Sequence, residues 1–221
     1  IPNFIRDDKI EMLKKAGLSW ITIGLQSGSD RINKELYKRP SKKKHFLKAA
    51  HIINKYKVAP LYDVILDNPF ATIEDDIETI NVLIDTPKPY YAKFFSLNFY
   101  LGTELYNVAS NENLEHLDDA LSKNYLVSER NVINEITKFA PFLSKRMMRR
   151  ILDLHKHSPE SIKLKIYITI LKLLTLVIFQ PLIYWRVLKN SQNGSYIKTI
   201  MVVPNYFKII FFRALHGWIP S

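Results

Sequence analysis

An α/β fold with a parallel sheet and a helical C-terminal tail is predicted by three observations. Short apolar, β-branched runs alternate with segments of 3.6-residue apolar spacing through the first half of the chain. Two of those runs end directly in polar clusters, GLQSGSDRINKELYKRP at 24–40 and YDVILDNPFATIEDD at 62–76, as the strands of parallel β-α units do. Beyond Asn111 the strand signal stops and the chain reads as helical, with no internal repeat.

The elements follow in order. Residues 5–17 form a helix by pattern, with Asp7 and Asp8 near its start, Ile10 and Leu13 on one face, and Gly17 suited to a left-handed C-terminal position. Ser19 to Leu25 reads as a buried strand. A second helix, Ser41 to Tyr56, keeps Phe46, Ala49, Ala50 and Ile53 on one face, with Lys42, Lys43 and Lys44 as its solvated start. Val58 to Leu66 is the next strand. Thr72 and Asp75 then pair as a capping box for a helix carrying Ile73, Ile77, Ile80 and Ile84 on one side. The TPKP run at 86–89 ends it, because proline lacks the backbone donor. Tyr91 to Phe99 is the third strand, and Gly102 with Thr103 opens a short helix containing Leu105, Tyr106 and Ala109.

At 221 residues, with 47% hydrophobic and 24% charged composition, the chain can bury a substantial core, which excludes global disorder. It contains no cysteine, so it has no disulfide framework, thiolate metal site or cysteine nucleophile of its own; a cytoplasmic setting is compatible with that. The first residue is Ile1 and no signal-peptide pattern follows it, so a piece of a longer protein is expected. The net charge of +11 is uneven: residues 161–221 carry eight basic residues and no Asp or Glu, leaving 24 basic against 21 acidic in the first 160.

The strand ends bring together Gln26, Ser27 and Ser29, then Asp67 and Asn68, then Asn98, while Gly24 and Gly28 allow close backbone approach to a ligand. Amides, hydroxyls and one carboxylate suit a polar, nucleoside-like ligand better than nucleophilic catalysis. The same residue types also fill ordinary turns and caps. Asp63, inside an apolar strand, reads either as a ligand-orienting group or as a hydrogen-bonded structural carboxylate. His155 and His157 lack the carboxylate-rich surroundings expected of a metal site.

The segments IGLQSGSDRINKELYKR, YDVILDNPFATIEDDIET and FFSLNFYLGTELYNVA, in that order, resemble the second half of the catalytic domain of radical S-adenosylmethionine enzymes, especially those with a cobalamin-binding domain upstream. The resemblance covers roughly residues 5–110. It implies the C-terminal half of a partial (β/α)6 TIM-like barrel, in which a 4Fe-4S cluster on an upstream CxxxCxxC loop reductively cleaves S-adenosylmethionine to methionine and a 5'-deoxyadenosyl radical. By the same resemblance Gln26 and Ser27 match the ribose and amino-acid contacts, and Arg39 the basic residue that pairs with the cofactor's carboxylate, although beside Lys38, Lys42, Lys43 and Lys44 it reads equally as a surface residue. Ile65 and Leu66 match the strand segment beside the adenine, and Asn98 joins this cofactor-binding set. Two departures stand out: Leu101 replaces the usual Pro before Gly-Thr, and the cluster's cysteines are absent. The cluster ligands and the cobalamin domain would lie outside this chain, and the fragment alone would be inactive.

The expected organisation is therefore a half-barrel over 1–110, a helical connector over 111–160 and an apolar, basic helical tail over 161–221. Ile166 to Trp185 is near bilayer-spanning length, but Lys172 and Pro181 interrupt it, and a mid-span lysine costs about 3 kcal/mol on insertion scales. Tyr196 to Trp218 mixes aromatics with Lys198, Lys208 and Arg213 around Pro204. The tail reads either as a cap on the open side of the barrel or as a peripheral contact at the inner face of the membrane. Expected partners are the upstream part of the same polypeptide and a substrate whose chemistry the sequence leaves open, a hydrophobic one among the candidates, with nucleic acid ranked last. Two alternatives stand behind the radical enzyme: a methylthiotransferase acting on transfer RNA, whose β-rich RNA-binding domain has no counterpart in this tail, and a non-catalytic membrane-peripheral scaffold.

Overall fold

A computed structural model describes residues 1–112, 114, 131–159 and 161–191. The second apolar tail segment, Tyr196 to Trp218, and part of the connector lie outside the described residues. Strands β1 (Trp20–Gln26), β2 (Ala59–Leu66) and β3 (Tyr91–Ser96) form one parallel sheet in sequence order, with Trp20 opposite Ala59 and Leu61 opposite Tyr91. Helices α1 (Asp7–Lys15), α2 (Lys43–Lys55), α3 (Ile73–Asp85) and α4 (Glu104–Asn111) are interleaved with the strands. Helices α5 (Val132–Phe139), α6 (Lys145–His157), α7 (Ile162–Leu174) and α8 (Gln180–Ser191) follow, with a π-helical turn, Thr175–Phe179, joining the last two.

The sheet has two unlike faces because strand side chains alternate. Ile23, Leu25, Tyr62, Val64 and Leu66 point into the core with Phe46, Ala49 and Ile53 of α2 and Ile80, Leu83 and Ile84 of α3. Each such buried aliphatic or aromatic side chain contributes about 1.5–3 kcal/mol. The Phe46, Tyr62 and Tyr90 rings meet at 4.9 and 5.4 Å, and the Tyr90 hydroxyl donates to the Leu83 carbonyl at 2.8 Å. The opposite face presents Gly24, Asp63 and Lys93 in one transverse row and Ile65 beside Phe95 in the next. Its N-terminal end is covered by α8: Ala59 packs with Ile183 and Val187, and the Tyr91 and Tyr184 rings stack edge-on at 5.9 Å.

Several boundaries and faces differ from the sequence pattern. The first helix starts at Asp7, and Leu13 is exposed while Ile10 is buried. The third strand ends at Ser96 rather than Phe99. On α3, Ile73 faces solvent and the buried side is completed instead by Asp75 and Thr79. Lys43, at the start of α2, is half-buried: its backbone N–H is capped by the Asp30 carboxylate at 2.7 Å, and its ammonium reaches Glu78 at 3.2 Å.

Helices α5, α6 and α7 share the main core through Ile136, Met148, Ile151, Leu164, Ile168 and Leu171. Lys172, the charge that interrupts the apolar run, turns inward to the buried Glu135 of α5 at 3.1 Å, and Lys138 approaches the same carboxylate at 3.6 Å. Glu135→Ala leaves two partly buried ammonium groups facing each other. A destabilisation of about 3 kcal/mol is expected by denaturant unfolding. Glu135→Gln should recover part of it.

Candidate functional site at the strand ends

The C-terminal edge of the sheet holds two non-glycine residues in the left-handed region, Gln26 with φ +63° and Asp67 with φ +55°. The parallel register slips between Gly24 and Gln26, and the Ser27 N–H closes back on the Leu25 carbonyl at 2.9 Å, a three-residue turn about Gln26. Such a conformation costs about 1–3 kcal/mol for a residue with a side chain, and such strain clusters at ligand sites.

The inversion folds the Gln26 amide back over Gly24. A Cβ on Gly24 would lie 2.1 Å from Gln26 Nε2 and 3.4 Å from an Arg39 terminal nitrogen. Gly24 therefore makes room for a side chain of this chain. Gly24→Ala is expected to swing the flexible amide away while shifting the thermal midpoint by only a few degrees, because no backbone atom is in the way. A calorimetric melt checks this.

Arg39 is half-buried beside that amide. Its guanidinium donates to the Gly24 carbonyl at 3.4 Å, burial lowers its pKa, and it makes no ion pair among the described residues. Across the register from Gly24, Asp63 has one carboxylate oxygen buried without a hydrogen-bond partner among the described residues; burial raises its pKa against the opposing pull of Lys93. Asn98 Oδ1 is similarly buried and unmatched. Ile65 lies on this open face, opposite Phe95.

Other residues of the predicted set do different work. Leu66 points the other way, into the helix-covered core, so strand alternation removes it from the site. Ser27 is buried, 3.4 Å from the Thr79 hydroxyl, and its oxygen accepts the Ser29 N–H at 3.1 Å. Gly28 lies against α3: a Cβ there would meet Thr79 Cα at 2.4 Å, so it serves helix packing rather than ligand approach. Asp67 accepts hydrogen bonds from Ser96 and Asn134, and Asn68 donates to the Tyr37 hydroxyl at 3.3 Å.

Sequence reasoning missed the tie between the first two motifs. Ser29 donates to Asp75 Oδ1 at 2.6 Å, Arg31 pairs with Asp75 Oδ2, and the Thr72 N–H reaches that oxygen at 2.8 Å. Burial alone would raise the Asp75 carboxyl, but the bonds from Arg31, Ser29 and Thr72 outweigh it and hold the pKa at about 2. Neighbouring Asp76 is pushed up to about 6 by burial and by the charges of Asp75 and Asp67. The Thr72–Asp75 spacing was a signal for the cap; nothing local pointed to Arg31.

No protein-family model matches the chain, and no curated protein matches it. Among the described residues no group of three His, Cys, Asp or Glu side chains could hold a metal ion.

Proposed function

We propose that the chain is the C-terminal half of a partial (β/α)6 barrel from a radical S-adenosylmethionine enzyme, and that its strand edge holds the sulfonium cosubstrate. The single observation behind this reading is the half-buried Arg39, without an ion pair among the described residues, beside the inverted Gln26 and on the same face as an Asp63 oxygen that has no hydrogen-bond partner among those residues. An amino-acid carboxylate suits Arg39 through charge-assisted hydrogen bonds. The Gln26 amide, Asp63 and the Asn98 carbonyl offer complementary groups for ribose hydroxyls or the amino-acid ammonium, and Ile65 supplies an apolar surface for a purine.

The residues present do not fit a 4Fe-4S cluster, since the chain has no cysteine, and the cluster would be held elsewhere in the polypeptide. Cobalamin would likewise be bound by the upstream part of the polypeptide. The task left to these residues is to bind and orient the cosubstrate. The transfer-RNA methylthiotransferase reading gains no support from the helices of the tail.

To test the reading, the polypeptide containing the upstream segment is expressed anaerobically and its iron and sulfide are reconstituted. Formation of 5'-deoxyadenosine from S-adenosylmethionine is the expected result. An upstream segment without clustered cysteines, or a confirmed cluster that yields no 5'-deoxyadenosine, would refute it.

A further inference from the structure

Residues Ile162–Asn190 form one continuous helical run of 29 residues, long and apolar enough to cross a membrane by length and composition. Its packing argues for a different orientation. One face is covered along its length: Leu164, Ile168 and Leu171 enter the main core, and Ile183 and Val187 pack on Ala59 of the sheet. Lys172, near the middle, is paired with Glu135. A span surrounded by lipid would have to give up those contacts.

The other face is a stripe of exposed aliphatic side chains: Ile162, Ile166, Ile170, Leu173, Val177 and Leu182, with exposures from 49% at Ile170 to 75% at Ile162. The spacing is four, four, three and four residues, then five across the π-helical turn Thr175–Phe179, whose wider turn re-phases the helix. From end to end the stripe is about 30 Å long at the rise of a helix. A contiguous apolar surface of this kind marks an interaction face.

Charge selects the occupant. Lys163 and Lys165 are exposed at one end of the stripe. At the other end Arg186 lies four residues after Leu182, hence on the same face, and with Lys189, Lys14 and Lys57 it lines a cleft of about 460 Å³ with no acidic side chain among the described residues of its wall. A second copy of the stripe would bring these cations against their own images, and residues 161–221 contain no carboxylate to offset them. An anionic lipid surface answers both the apolar stripe and its basic ends.

We infer that the α7–α8 helix lies in the plane of an anionic membrane, its stripe among the acyl chains and Lys163 and Arg186 at the headgroups. The test uses the whole 221-residue chain in flotation with vesicles of phosphatidylcholine alone or mixed in equal parts with phosphatidylglycerol.

Saturable binding to the mixed vesicles is expected, at least about tenfold weaker to phosphatidylcholine and weakened by salt. Combining Ile166→Ser, Ile170→Ser and Val177→Ser should reduce binding by about tenfold or more without lowering the thermal midpoint, since all three side chains are exposed. Lys163→Glu with Arg186→Glu should weaken binding to the mixed vesicles while leaving the phosphatidylcholine arm unchanged. Binding that survives the serine substitutions would overturn the inference. So would its competition by inorganic phosphate at matched ionic strength, which would make the cleft a free-anion site, or a dimer dissociated by the serines in a chain that ignores vesicles.

Discussion

Asp75→Ala is expected to destabilise the protein by about 3 kcal/mol, enough to leave many single domains largely unfolded on mild heating. The carboxylate accepts from Ser29, Arg31 and the Thr72 N–H, so its loss removes a helix cap and the tie from the β1 loop to α3 together. Asp75→Asn keeps the shape but not the charge, and should cost less. The same site sets an acid limit. Because the folded pKa of Asp75, about 2, lies below its ordinary 3.8, its contribution is complete above about pH 4 and is lost as pH falls towards 2. Asp76 acts with the opposite sign. Its folded pKa of about 6 lies above the ordinary value, so its destabilising effect is full above pH 6 and is relieved as pH falls from 6 towards 4. Urea midpoints measured across this range should rise from neutral pH to a maximum between pH 4 and 5 and then fall. Asp76→Asn should flatten the rise on the neutral side.

Gly28→Ala is expected to cost about 3 kcal/mol, at the upper end of the range for overpacking a close-packed site. The added methyl would lie 2.4 Å from Thr79 Cα and 2.7 Å from the Glu78 carbonyl oxygen. Both are backbone atoms of α3, which can move only by shifting the helix, and the Gly28 N–H bond to the Thr79 hydroxyl at 2.8 Å would stretch with it. Gly24→Ala, four residues earlier, meets only side-chain atoms, the Gln26 amide and, at 3.4 Å, the Arg39 guanidinium. Chemical denaturation of the two variants in parallel should therefore show a large loss at Gly28 and a small one at Gly24.

The three strands and their helices were legible because each carries its own local period: alternation or continuous β-branched runs in the strands, and 3.6-residue spacing for Phe46, Ala49, Ala50 and Ile53. The Thr72–Asp75 cap was legible for the same reason, its parts being three residues apart. What escaped depends on contacts between distant segments. Arg31 and Asp75 are 44 positions apart, and no pattern in either neighbourhood announces the other. By sequence Gly28 reads as a ligand-approach glycine, whereas Thr79 fills the space above it. The inversion at Gln26 has no residue-type signature, because glutamine is not a usual occupant of the left-handed region. In the tail, Lys172 looked like a charge interrupting a membrane-length run; its partner Glu135 sits on another helix.

In the proposed cosubstrate site, the carboxylate would be held at the strand edge by Arg39. Equilibrium binding of S-adenosylmethionine to the cluster-loaded polypeptide, compared with Arg39→Met, tests it most directly. Saturable binding that weakens by about tenfold or more in the variant, with the cluster spectrum and melting temperature unchanged, is expected from the loss of one charge-assisted pair. Equal affinity in the two proteins, or no binding by a folded, cluster-loaded chain, would contradict it.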